Sequence, residues 1–219
     1  MVETAEGDLE LRRRGERDFM IRVGGRVLMT SRLTRSEEAL ARIGCAPLAT
    51  RAAPRVLVGG LGLGMTLRAA LDALPSDALV TVCELSEAVV TWCRGPAAPA
   101  SGAALEDPRV EVVVGDVAAH IRAVAADRSR PRYDAILLDL YVGPGPVPHG
   151  QADPLYDRAS AVRARDALGL GGVYAVWGEA PFPPFERRLH AAGFEVQTHA
   201  IQAGGVRHVV FVGTRPGGT

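Results

Sequence analysis

Cysteine is scarce in this sequence, and the cysteines present do not have the spacing of a metal site. Only three occur in 219 residues, at Cys45, Cys83 and Cys93. An odd number without paired spacing argues against both a disulfide scaffold and a structural zinc site, so we expect no bound metal. Because structural disulfides are typical of secreted proteins, their absence favours a reducing compartment, and we expect a cytoplasmic protein.

Long apolar runs and an excess of one charge are also missing. No stretch reaches the ~20 apolar residues that a membrane-spanning helix needs, and the charged N-terminus lacks the apolar segment of a signal peptide. Lys plus Arg equal Asp plus Glu at 25 each, whereas a protein held on phosphates carries a basic excess. We therefore expect neither a membrane nor a nucleic-acid partner.

Strand-like and helix-like segments alternate along most of the chain. The strand-like runs are residues 55–60, 79–84, 110–116, 133–139, 172–179, 194–201 and 207–214. Near-continuous apolar strands alternating with helices predict an α/β fold with a mainly parallel sheet covered on both faces. The last two runs are joined by a link that is too short for a crossover, so this pair is predicted to be antiparallel.

The first 50 residues have a different pattern. Residues 18–31 place strand-forming residues on both sides of Gly24-Gly25, which predicts a hairpin with a two-residue turn. Thr34 and Glu37 have the spacing of a capping box, so a helix is expected to follow. We therefore expect a hairpin and helix extension over residues 1–50 and the α/β domain over residues 51–219.

Acidic residues follow the ends of four consecutive predicted strands. They are Glu84, Asp116, Asp139 and Glu179. Ligands of open α/β sheets bind beyond the carboxyl ends of the strands, so these side chains are candidates for contact with a ligand.

The first strand of the predicted main sheet, residues 55–60, leads into a glycine loop within the segment VLVGGLGLGMTLRAAL, residues 56–71. Glycine allows a positive φ or a close approach of another group, because it has no Cβ. A dinucleotide fingerprint requires G-x-G-x-x-G, and Met65 stands where the third glycine is needed. Glu84 follows Gly60 by 24 residues, the spacing of a carboxylate that binds ribose hydroxyls. The pattern favours an adenosine cofactor without a pyrophosphate, such as S-adenosylmethionine.

Several segments resemble the spermidine synthases and their relatives. GLGLGMTLR at 60–68 is similar to that family's G-G-G-D-G-G-T-L-R loop, and DPRVEVVVGD at 107–116 to its third-strand segment. YDAILLDLYVGPGP at 133–146 resembles its fourth strand and gate loop. The resemblance spans residues 18–215. It implies a Rossmann-like, seven-stranded methyltransferase sheet with its last pair antiparallel and a small N-terminal β-hairpin extension. It also implies a dimer or tetramer, of which we expect the homodimer.

The resemblance also implies roles for individual residues. Glu84 would bind the ribose, Asp116 the adenine amino group, and Asp139 would face the reacting centre, as a general base or to orient the nucleophile. The other residues expected at the cofactor are Gly60, Gly62, Leu63, Gly64, Leu85, Gly115 and Val117.

A further set of residues is predicted to lie near a small-molecule acceptor. They are Glu38, Tyr141, His149, Tyr156, Trp177 and Glu179, with Tyr141 also a catalytic candidate. Core packing is an equal alternative for Tyr141 and Trp177, since isolated aromatics near strand ends usually pack. A simple charged turn is the alternative for Glu179.

Three departures from the family pattern bear on which group is transferred. The family has an Asp where Leu63 stands, and that acid suits decarboxylated S-adenosylmethionine but repels the carboxylate of S-adenosylmethionine itself. Val142 replaces an Asp of the gate loop, and residues 36–38 replace Tyr-His-Glu, keeping only the last. We therefore favour a methyltransferase acting on a small amine or hydroxyl. A polyamine aminopropyltransferase using decarboxylated S-adenosylmethionine and a non-catalytic adenosine-binding module are the alternatives.

Overall fold

The computed structural model describes residues 1–3, 7–145, 155–203 and 206–217, and within these ranges it contains two β-sheets and six α-helices. The strands are β1 (Leu9–Arg13), β2 (Phe19–Val23), β3 (Arg26–Thr30), β4 (Arg55–Gly59), β5 (Leu79–Glu84), β6 (Val110–Val114), β7 (Tyr133–Leu138), β8 (Leu168–Gly178), β9 (Glu195–Ala203) and β10 (Val206–Thr214). The helices are α1 (Arg35–Cys45), α2 (Met65–Ala73), α3 (Glu87–Arg94), α4 (Val117–Ala126), α5 (Arg158–Ala167) and α6 (Pro183–Ala191).

The main sheet has seven strands in the order β6-β5-β4-β7-β8-β10-β9. Strands β4 to β8 are parallel, whereas β10 runs antiparallel to both β8 and β9. The predicted α/β architecture with an antiparallel last pair is therefore confirmed. The chain moves outward from β4 to β6 and returns to β7, so the strand order reverses between β4 and β7, where such folds bind ligands.

Helices cover both faces of this sheet, and each face has its own buried cluster. One cluster, here called the α1-side core, joins the sheet to α1, α2 and α3 through residues such as Leu40, Leu67 and Val89. The other, the α4-side core, joins it to α4, α5 and α6. Consecutive strand residues alternate between the two cores, as the period of a β-strand requires. Burial on both faces explains why these strands are apolar throughout.

The N-terminal sheet has three antiparallel strands in the order β1-β2-β3. The predicted hairpin is its β2–β3 part, and positive φ values at Gly24 and Gly25, 51° and 80°, make the two-residue turn. The prediction missed β1, whose sequence LELRR is too charged to indicate a strand. Phe19 and Ile21 are buried in the α1-side core. The small sheet therefore shares its core with the main sheet, and the domain boundary after residue 50 stays a prediction.

Helix α1 begins directly after Thr34, as expected, but the capping box does not form. The Thr34 hydroxyl donates to Glu38 Oε1 at 2.8 Å, and the helix start has no side-chain hydrogen bond to its backbone. Glu37 instead accepts a hydrogen bond from the Ser36 hydroxyl at 2.6 Å. Both acids of the first turn thus accept hydrogen bonds from neighbouring hydroxyls.

All three cysteines are free and buried. Loss of hydration raises the pKa of the Cys45 and Cys93 thiols to about 12, and that of Cys83 to about 11. Their thiols are therefore protonated and unreactive at neutral pH. Among the described helices, none is long and apolar enough to cross a bilayer. The same ranges contain no group of three or more His, Cys, Asp or Glu residues that could hold a metal ion.

Candidate active site

The glycine loop joins the end of β4 to the start of α2 and lies at the reversal of strand order. Gly60 has φ +88°, its N–H donates to Cys83 O at 2.9 Å, and a Cβ added to it would overlap the carbonyl oxygen of Asp139. Gly62 has φ +51°, and a Cβ there would overlap the Met29 sulfur. Gly64 has φ +80° and lies against Ser101. The glycines therefore let the loop pass close to three other segments.

We expect Gly60→Ala to unfold more easily than the wild type, by about 3 kcal/mol or more, because it adds left-handed backbone strain and an overlap with Asp139. Gly102→Ala is the matched control, since Gly102 has φ +60° and nothing within 4 Å of an added Cβ. That control should lose only about 1 kcal/mol. Urea unfolding at pH 7 measures both. Equal losses in the two variants would contradict the close approach of the loop to Asp139.

Glu84 connects the end of β5 to the glycine loop. The Leu61 N–H donates to Glu84 Oε2 at 2.8 Å, and the Ser86 N–H donates to Oε1 at 2.9 Å. Each carboxylate oxygen has a second lone pair, so the group still has capacity for two hydroxyl donors. This arrangement suits the predicted contact with a ribose. The neighbouring Leu85 directs its side chain to solvent, with 75% exposure.

The end of β6 supplies the next acid along the sheet. Asp116 is exposed and caps α4, because its Oδ1 accepts the Ala118 N–H at 2.8 Å. The Gly115 N–H donates to Glu84 O at 2.8 Å, which ties this strand end to β5. Val117 is buried and packs against Gly59. Glu84 and Asp116 thus lie at neighbouring strand ends on the same edge of the sheet.

Asp139 follows β7 and lies next to the glycine loop. Its N–H donates to Gly59 O at 2.9 Å, and its Oδ2 accepts the Thr66 hydroxyl at 2.5 Å. Loss of hydration raises the pKa of the Asp139 carboxyl to about 7; the Thr66 hydrogen bond opposes this rise, and the charge of Glu37 adds to it. Asp139 is therefore a carboxyl group that gains or loses its proton near neutral pH, at the centre of the site.

Leu63 and two residues that the sequence did not indicate complete the surroundings of the loop. The Leu63 side chain is fully buried in the α1-side core, and its N–H donates to the Met29 sulfur at 3.0 Å. Met29 comes from β3 and Ser101 from the segment after α3. No local pattern predicts these contacts, because each joins segments that are distant along the chain. The N-terminal sheet therefore contacts the glycine loop directly.

Some residues predicted near the acceptor have other partners. The Glu38 carboxylate accepts the Thr34 hydroxyl and lies 3.9 Å from Arg42 of the same helix. Tyr156 is buried, and its hydroxyl donates to Val142 O at 2.8 Å. Tyr156 therefore holds the segment that follows Asp139.

Other predicted acceptor contacts lie at the surface. Tyr141 is 41% exposed and Glu179 is exposed. Val142, which replaces the gate-loop Asp, is 59% exposed. His149 lies outside the described residues. Trp177 differs from these, since it is half-buried at the end of β8 and packs against the α1-side core. The roles of all these residues stay predictions.

Comparison with protein-family models places this geometry in a known group. The model of the spermine/spermidine synthase domain matches residues 37–186. The chain belongs to the spermine/spermidine synthase family. The match includes the glycine loop, Glu84, Asp116, Asp139 and Trp177.

Curated proteins that resemble this chain carry two different activities in their names. A polyamine aminopropyltransferase from Clostridium tetani is 30% identical over 147 residues, which cover 66% of this chain and 48% of the relative. Putrescine N-methyltransferase 2 from Nicotiana attenuata is 34% identical over 126 residues, covering 58% of this chain and 31% of the relative. The matched region is thus less than half of either relative's length.

Solved structures agree with the family fold. A spermidine synthase in complex with the transition state analogue AdoDATO has a TM-score of 0.74 at 18% identity, covering 98% of this chain and 71% of that one. Human methyltransferase-like protein 13 in complex with SAH has a TM-score of 0.57 at 17% identity, covering 83% and 80%. At this identity the likeness shows the fold alone. This spermine/spermidine synthase family member has the Rossmann-like methyltransferase fold that its sequence predicts.

Proposed function

We propose that this chain transfers a methyl group from S-adenosylmethionine to an amine or hydroxyl of a small molecule. The observation that carries the choice of methyl over aminopropyl is Leu63, an uncharged and fully buried side chain within the glycine loop. An acid at that position would repel the carboxylate of S-adenosylmethionine, and Leu63 removes that repulsion. The likeness to putrescine N-methyltransferases supports the same choice.

The adenosine half of the cofactor is assigned to the β4–β5–β6 side of the site. In this proposal Glu84 accepts hydrogen bonds from the ribose hydroxyls, and Asp116 accepts one from the adenine amino group. Gly60, Gly62 and Gly64 have positive φ, which gives the loop its shape beside this part of the site.

Asp139 is assigned to the reacting centre. The lone pair of the acceptor amine attacks the methyl carbon in line with the carbon–sulfur bond, and the sulfur keeps the bonding electron pair as a neutral thioether. The methylated nitrogen carries a positive charge until it releases a proton. Asp139, whose pKa is raised to about 7 by loss of hydration, accepts that proton or passes it to water. Alignment of amine and methyl supplies most of the remaining acceleration.

Aminopropyl transfer is the second candidate, and the 30% identity to a polyamine aminopropyltransferase favours it. In that reaction the acceptor amine attacks the aminopropyl carbon next to the sulfonium, and the leaving thioether is methylthioadenosine. The adenosine contacts and the role of Asp139 would be the same. The two reactions differ in the cofactor tail, at the loop position that Leu63 occupies.

Calorimetric titration with S-adenosylmethionine, its decarboxylated form and methylthioadenosine separates these candidates. We expect micromolar binding of S-adenosylmethionine, and about tenfold weaker binding of the decarboxylated form because it loses a charged hydrogen-bonding group. A preference for the decarboxylated form would support aminopropyl transfer instead. If none of the three binds at micromolar concentration, the cofactor assignment is wrong. Binding without transfer to any amine would leave a non-catalytic adenosine-binding module.

A further inference from the structure

Trp177 is the neighbour of Asp139 on the side away from the glycine loop. Strands β7 and β8 are parallel, and Leu138 and Val176 are the last pair in their register. Asp139 follows the end of β7 and Trp177 follows Val176 in β8, so from this register we place the two residues side by side at the sheet edge. Leu138 and Val176 lie in the α4-side core. Strand alternation therefore directs Asp139 and Trp177 to the opposite face. Packing of Trp177 against the α1-side core agrees with this.

His208 extends this row by one more strand. Trp177 pairs with Val210 of β10, and His208 lies two residues earlier on the same face of that strand. The rings of Trp177 and His208 are 5.2 Å apart between centroids and are tilted by 35°. Across the sheet edge the order is thus Gly60, Asp139, Trp177 and His208. If the cofactor occupies the glycine-loop side, this ring pair lies on the acceptor side.

Both rings carry a buried nitrogen that has no hydrogen-bond partner within the described ranges. These atoms are Trp177 Nε1 and His208 Nδ1. The large majority of buried polar atoms in proteins are paired, and leaving one unpaired costs about 1–3 kcal/mol. A ligand that displaces the groups now covering these two atoms would supply the missing partners beside Asp139.

We propose that Trp177 and His208 determine the acceptor, and that they select an amine that also carries a hydrogen-bond-accepting oxygen instead of a second ammonium. The indole N–H can only donate, so it pairs with a hydroxyl, carbonyl or carboxylate oxygen and not with an ammonium. His208 Nδ1 donates or accepts according to its tautomer and serves either kind of oxygen. This proposal rests on the transfer function proposed above and specifies the substrate class of that same site.

The nearby acids are the competing sites for a second ammonium. Glu37 and Glu38 each accept one hydroxyl, from Ser36 and Thr34, and keep lone pairs for another donor. Glu179 is exposed. An ammonium over the indole face would gain a cation–π attraction, but it would leave the indole N–H unpaired. A comparison of a diamine with an amino alcohol of equal length therefore measures whether the cation–π contact or the indole hydrogen bond determines which acceptor is preferred.

Three acceptors of equal chain length provide the test: 4-aminobutan-1-ol, 4-aminobutanoate and butane-1,4-diamine. We expect kcat/KM for the better oxygen-bearing acceptor to exceed that for the diamine by about tenfold, the size of one well-placed hydrogen bond. Trp177→Phe keeps a ring but removes the donor, and should abolish that preference while the cofactor Kd stays unchanged. His208→Phe should reduce the preference for the oxygen-bearing acceptor. Trp92→Phe, at the only other tryptophan, is the control and should keep that preference.

A binding measurement separates this proposal from the proposed reaction. In Trp92→Phe the only tryptophan is Trp177, so its fluorescence reports acceptor binding without turnover. The measurement uses protein saturated with S-adenosylhomocysteine or methylthioadenosine, whichever binds in the titration above. Tighter binding of an oxygen-bearing acceptor supports the proposal even if no transfer occurs. Tighter binding of the diamine, an unchanged ranking in Trp177→Phe, or no fluorescence response to any acceptor would overturn it.

Discussion

Asp139→Asn is expected to lower turnover by about 10²–10⁴-fold, the usual contribution of a positioned general base. Asparagine keeps an oxygen that accepts the Thr66 hydroxyl, now bonded at 2.5 Å, so the loop geometry should survive. It cannot take the proton that the acceptor releases. Cofactor binding should be retained, since the adenosine contacts lie on other strands. Steady-state kinetics and calorimetry on the same preparation measure the two effects.

The pH dependence of Asp139 provides an independent readout. Because burial raises the pKa of the Asp139 carboxyl to about 7, this carboxyl is protonated below that pH in the protein without bound substrates. We expect the kcat/KM of the wild type to rise with pH through about 7 as this carboxylate forms, and the Asn variant to lack that step. A pKa raised by folding also means that the native state binds the proton more tightly than the unfolded chain. The contribution of Asp139 to the free energy of unfolding is therefore complete at acid pH and is lost as the pH rises toward 7.

Asp72→Asn is the control for these measurements, because Asp72 is an exposed acid on α2 that pairs with Arg68. It should leave turnover and its pH profile unchanged. If Asp139→Asn has normal turnover, Asp139 takes no part in the chemistry. If that variant loses cofactor binding and thermal stability together, Asp139 acts by holding the fold.

The main sheet could be predicted from the sequence because its strands are buried on both faces. Such strands have continuous apolar runs, and the predicted ends of β4, β5 and β7 agree with the structure to within one residue. The start of strand β8 was harder to predict from the sequence. It begins at Leu168, four residues before the predicted start, because LGLGG resembles a turn. Strand β1 was missed since a charged strand of a small exposed sheet has no apolar alternation.

The sequence predicted only those residues of the candidate site whose place in the fold follows from the order of strands along the chain. Strand ends of a parallel sheet lie along one edge, so Glu84, Asp116 and Asp139 were identifiable from local sequence. Contacts that depend on packing between distant segments were not. Met29 reaches the glycine loop from another sheet, and the position of His208 beside Trp177 follows from the register of β8 with β10. Homodimer formation and a cytoplasmic location stay predictions.

Glu84→Ala should reduce cofactor affinity by about 100-fold or more, through loss of two charge-assisted hydrogen bonds to the ribose of about 1.5–3 kcal/mol each. A less ordered glycine loop should lower the cofactor affinity further. The Glu84 carboxylate also receives the N–H groups of Leu61 and Ser86 at 2.8 Å and 2.9 Å, so its removal leaves the loop less rigid. Calorimetric titration with S-adenosylmethionine measures the total.

Two further variants distinguish ribose binding from support of the loop. Glu87→Ala removes an exposed acid three residues later, on the first turn of α3, and should bind the cofactor normally. Glu84→Gln keeps one oxygen for a backbone N–H but turns an NH₂ toward the other, so it should lose thermal stability if the loop contacts dominate. If the ribose contacts dominate, affinity falls while the melting temperature changes little. Near-native affinity in Glu84→Ala would contradict both roles, and it would move the adenosine site away from the ends of β4 and β5.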